Sequence, residues 1–96
     1  MFTGLADQIH HTRRVYRNHQ RLIDLQQQYD DSTDNTNRAV IAERAAFVVE
    51  HQIEHLTASK LARAVTSLPL ASLEAARADW VTRSEQAWAD AAAARK

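Results

Sequence analysis

Residues 37–66 read NRAVIAERAAFVVEHQIEHLTASKLARAVT, and the placing of their apolar side chains decides the fold. No glycine or proline interrupts the run, and its spacing predicts one long helix. On a helical wheel, one apolar sector holds Ile41, Ala45, Val48, Val49, Ile53 and Leu56. A second holds Val40, Phe47, Ala58, Leu61 and Val65. A helix that is apolar in two sectors needs cover on both. This segment is therefore expected at the centre of the molecule, with a helix on each side or with part of its surface met by another chain.

Working towards the N-terminus, residues 30–37 read DDSTDNTN, a turn by composition. Asp34 and Thr36 are the expected N-caps of the central helix. Before the turn, residues 4–29 carry a helical stripe of Leu5, Ile9, Thr12, Val15, Tyr16, His19, Leu22, Ile23, Gln26 and Tyr29, with Thr3 as the expected N-cap. So short a turn makes the two helices antiparallel. Centred near residue 33, it sets residue i opposite residue 66 − i.

Working towards the C-terminus, Ser67-Leu68-Pro69 ends the central helix, because proline cannot continue it and pushes the preceding residue out of the helical region. Residues 70–93 then place Leu70, Leu73, Ala76, Trp80, Val81, Ser84, Ala87, Trp88 and Ala91 on one face. The expected architecture is all-α: an antiparallel three-helix bundle within a single domain of 96 residues, with helices at about 4–29, 37–66 and 70–93, completed by dimerisation.

Composition narrows the function classes. The chain has no cysteine, which removes disulfide scaffolds, thiolate metal sites and cysteine nucleophiles. Single glycine and proline residues argue against phosphate-cradling loops and β-hairpins. No secretory leader and no apolar run of about 20 residues is legible, so a soluble cytoplasmic protein is expected. Ten of the twelve basic residues are arginine, a usage associated with GC-rich bacterial and phage genes. The formal net charge is zero, yet residues 1–23 set four arginines against Asp7, while residues 24–37 hold four aspartates and no base.

Three local patterns carry candidate chemistry. His51 and His55 are spaced i, i+4, which lets two imidazoles reach one metal, and with Glu54 they match H-x-x-E-H, the pattern of inverted zinc metallopeptidases. The hairpin register brings His10 and His11 towards His55, so the candidate metal ligands are His51, His55, His10, His11 and Glu54. A chain this short has no evident room for a peptidase cleft, and no enzymatic activity is expected. Arg13, Arg17 and Arg21 form a cationic stripe at i, i+4, i+8, suited to an acidic protein surface or to phosphates. The alternating oxygen side chains of Asp30, Ser32, Asp34 and Thr36 resemble a calcium loop, but Asn35 stands where the turn glycine belongs and Ile41 where the bidentate glutamate belongs, so the segment is read as a capped turn.

The leading expectation is a non-enzymatic protein–protein interaction module (an adaptor, chaperone or inhibitor) acting as a homodimer. Arg13, Arg17 and Arg21 are the expected electrostatic contacts and Trp80 and Trp88 the core or interface anchors. A bundle binding a divalent transition metal is the first alternative, and a nucleic-acid-binding protein using the arginine stripe is the second.

Overall fold

The computed structural model describes residues 4–95 and is all-helical, with four helices among them: α1 (Leu5–Asp31), α2 (Asn35–Ala58), α3 (Lys60–Thr66) and α4 (Leu70–Ala94). The expected central helix over 37–66 is two helices, not one. The break is at Ser59, which is fully buried and extended in backbone, and whose hydroxyl accepts from Ala62 N at 3.0 Å. Two further contacts hold the break. Gln8 of α1 accepts the Leu61 N–H on its side-chain oxygen, and Arg63 folds back to donate to the Leu56 and Thr57 carbonyls that end α2. Ser59 is thus an N-cap lodged within a helix-favouring run, and tertiary contact turns that local option into a corner.

The other boundaries follow local chemistry. Gly4 occupies the N-cap position of α1 without a side-chain bond, and Thr3 lies outside the described residues. Asp34 caps α2 by accepting from Asn37 N at 2.9 Å, and Asn37 donates to Ser32 across the turn. Ser67 closes α3 in the left-handed region, at φ 54° and ψ 28°, and Pro69 precedes α4.

α2 is the central element. It packs on α1, α3 and α4, whereas α1 and α4 bring no Cα atoms within 8 Å of each other. The molecule is a rod of 55 × 21 × 18 Å. Its main core joins Leu25, Ile41, Ala42, Ala45, Val48, Val49 and Trp80, and a smaller cluster joins Val15, Leu56 and Ala62 at the α3 end.

Two details of the wheel are corrected. On α1, Leu25 is in the core, while Tyr16 and Ile23 are about half exposed. Val15 and Leu25 are buried and His11, Asn18, Leu22 and Tyr29 are half-buried, a rhythm rotated slightly from the expected stripe, of which Val15, Leu22 and Tyr29 remain part. On α2, the second apolar sector is not fully covered: Phe47 is 61% exposed and Ala58 is open to solvent. α1 and α4 both pack against the broad sector around Ala45 and Val49.

Candidate functional site

α1 and α4 flank α2 without touching by backbone. On one side they close through side chains, where Tyr29 meets Trp80 edge-on at 5.4 Å and Arg83 lies over the Tyr29 ring at 5.4 Å. Elsewhere α2 shows between them as a ridge formed by Glu43 and Phe47. A cleft of about 590 Å³ lies between α1 and α2 on one side of this ridge, and one of about 680 Å³ between α2 and α4 on the other.

The two clefts carry opposite charge. The α1/α2 cleft is lined by Arg14, Arg21 and Arg44, by three histidines, and by one acid, Glu43. Residues 10, 14, 18 and 21 share one face of α1, so a single helix delivers His10, Arg14, Asn18 and Arg21 to this cleft. The α2/α4 cleft is lined by Glu43, Glu50 and Glu85 against a single base, Arg77. Arg77 is itself drawn to Glu50 at 3.9 Å, and Glu43 accepts the Trp88 indole N–H at 2.6 Å.

Among the described residues no acid answers the arginines of α1. Among the described residues, Arg13, Arg14, Arg17, Arg21 and Arg44 form no salt bridge. The glutamates available across the hairpin are turned elsewhere, Glu43 to Trp88, Glu50 to Arg77 and Glu54 to His51. Of the expected stripe, Arg21 lines the cleft, while Arg13 and Arg17 are exposed on α1 outside its lining. Arg44 was not singled out in the sequence; it is carried to this cleft by its place next to Glu43 on the ridge.

The histidines gather on the α1/α2 seam near α3. His11 Nδ1 lies 2.8 Å from His55 Nδ1, and the His10 ring stands edge-on to both, at 5.5 Å from His11 and 6.2 Å from His55. A hydrogen bond between two imidazole nitrogens requires one to donate and the other to accept, so one of the two rings must lack its Nδ1 proton. Burial lowers the His55 pKa first, and the charges of His11, His10, His51 and Arg14 lower it further. His51 turns away from His55: its Nδ1 lies 3.2 Å from Glu54, and its ring stands edge-on to Phe47 at 4.4 Å. The structure therefore brings the rings of His10, His11 and His55 together, while half-buried His51 lines the same cleft and pairs with exposed Glu54. Among the described residues no group of three or more His, Asp or Glu is arranged to hold a metal ion.

The two tryptophans differ in setting. Trp80 is a core residue, 7% exposed, and Trp88 stands at the α4 edge of the ridge, 38% exposed. Beneath the surface, Gln52 is completely buried, and neither its amide nitrogen nor its amide oxygen has a hydrogen-bond partner. It sits inside the H-x-x-E-H match, where the histidines on either side draw attention from it.

Comparison with protein-family models, curated proteins and solved structures finds no match to this chain. Among the described residues no helix is long and apolar enough to cross a membrane.

Proposed function

We propose that this chain is a non-enzymatic protein–protein interaction module, an adaptor, chaperone or inhibitor, whose contact face is centred on Phe47. The observation that carries this reading is the 61% exposure of Phe47 on the central helix of the bundle. A large aromatic side chain on a ridge between two clefts has the properties of an interface anchor: high contact area, few rotatable bonds and a rim of charged groups around it. Val81 and Trp88 extend the apolar strip along α4, at 40% and 38% exposure. The unpaired arginines of the α1/α2 cleft add electrostatic steering.

The test is site-specific photo-crosslinking. Benzoylphenylalanine at position 47 of the full chain, expressed in its native cells, is expected to give a defined protein adduct identified by mass spectrometry. The same probe at Asp31, at the far end of α1, serves as control. If position 47 yields no adduct beyond that control, the interaction reading fails.

A second reading, metal binding, is favoured by the His11–His55 pair. Two Nδ1 atoms already face each other, and a small separation of the rings would let both ligate one divalent transition metal, with His10 beside them. Native mass spectrometry with zinc alone tests it. Stoichiometric uptake that is lost in a His11→Gln, His55→Gln variant supports the site, and no uptake by the wild type removes it. Nucleic-acid binding ranks below both, because the cationic cleft adjoins an acidic one and the formal net charge is zero.

A further inference from the structure

The charge pattern on either side of Phe47 specifies the partner. We infer that the face closes against a second copy of this chain, by a two-fold axis running along α2, so that each basic α1/α2 cleft meets the other copy's acidic α2/α4 cleft. This inference rests on the interaction-module reading and names its partner.

A two-fold axis that brings a face against its own copy must lie in the plane of that face. Placed along α2, the axis exchanges left and right. Arg14, Arg21 and Arg44 of one copy then lie over Glu50 and Glu85 of the other, and the arrangement repeats symmetrically. Placed across the helices, the axis lays basic cleft on basic cleft, where six guanidinium groups face only the two Glu43 carboxylates and repel. The charge pattern therefore selects the first arrangement. Phe47 falls beside the axis and meets Phe47 of the second copy, at the centre of the contact where a dry aromatic anchor contributes most.

Three further observations fit a second copy. The formal net charge is zero, so two copies approach without overall repulsion. Among the described residues the three arginines form no salt bridge, so none of these is lost on docking. The long side of the rod, 55 by 21 Å, offers more than the roughly 800 Å² per partner that a stable interface uses.

The experiment is a charge swap with complementation, read by sedimentation equilibrium and native mass spectrometry. One variant carries Arg14→Glu, Arg21→Glu and Arg44→Glu, and the other carries Glu50→Arg and Glu85→Arg. Circular dichroism establishes that each remains helical. The wild type is expected to be a dimer whose dissociation constant rises with salt. Each variant alone is expected to dimerise at least about tenfold more weakly, and the equimolar mixture to form a one-to-one heterodimer. A wild-type monomer at about 100 μM, where even a micromolar interface is saturated, overturns the inference. So does a wild-type dimer that neither variant weakens, or a mixture that does not restore association. A wild-type monomer whose position-47 probe captures a different protein refutes the second copy and leaves the interaction module standing. If the probe captures nothing, both fall.

Discussion

His11 of α1 and His55 of α2 face each other across the helical hairpin with their Nδ1 atoms 2.8 Å apart. The contact makes the α1/α2 seam sensitive to acid. Full protonation of both rings removes the acceptor and places two like charges in contact, beside His10, His51 and Arg14. The pKa of His55 lies below its ordinary value of 6.5, chiefly through burial. As pH falls through that value, the unfolded chain takes up the proton before the folded one does, so this group's contribution to stability is complete above it and declines below. The melting temperature is expected to fall between about pH 7.5 and about pH 5, and His55→Gln is expected to flatten that dependence. An unchanged slope in the variant would show that the histidine contact is not its source.

Ser59 is expected to hold the α2–α3 corner through its hydroxyl. Ser59→Ala leaves the Ala62 N–H without its acceptor in a fully buried place and should cost about 1 kcal/mol in urea unfolding. Because α3 supports the Val15, Leu56 and Ala62 cluster, hydrogen exchange should accelerate in α3 before it does in α4. Uniform acceleration across the chain would argue against a local role.

Gln52 should be improvable. Its buried amide has no partner, and removing a polar group so placed recovers the desolvation it costs. Gln52→Leu, of similar volume, is expected to stabilise the fold by about 1 kcal/mol. A loss of stability instead would mean that the amide is bound in solution.

The tryptophans separate by fluorescence and by stability. Trp88→Phe leaves the buried Trp80 and should emit at shorter wavelength than Trp80→Phe, which leaves the exposed Trp88. Trp80→Ala should cost about 3–5 kcal/mol, a large share of the stability of so small a chain. Trp88→Ala should cost less, since Trp88 is partly exposed and lies outside the core clusters, although the Glu43 hydrogen bond is lost. Equal losses would contradict the core position of Trp80.

Much of this is legible in the sequence alone. The absence of breakers from 5 to 29, the aspartate and asparagine turn and Pro69 reflect local backbone chemistry, which a sequence states directly. The hairpin register followed from the turn, and with it the meeting of His11 and His55. The corner at Ser59 was not legible, because serine tolerates a helix interior and a capping position alike. The decision came from Gln8, fifty-three residues away from the Leu61 N–H that it accepts. The rotation of α1 that buries Leu25 and exposes Ile23 was likewise undetermined, since both lie near the edge of the same apolar stripe.

By itself, then, the sequence determined helices, an antiparallel hairpin and a central element with more apolar surface than one neighbour can cover. Only the tertiary structure decided which part of that surface stays open. α1 and α4 both settle on the broad sector around Ala45 and Val49, where small side chains allow close approach, and Phe47 is left between them. The same packing sorts the charges, carrying Arg14, Arg21 and Arg44 to one side of Phe47 and Glu50 and Glu85 to the other. A one-dimensional charge count, which sums to zero, does not contain that separation, because it arises from which helix faces meet in space.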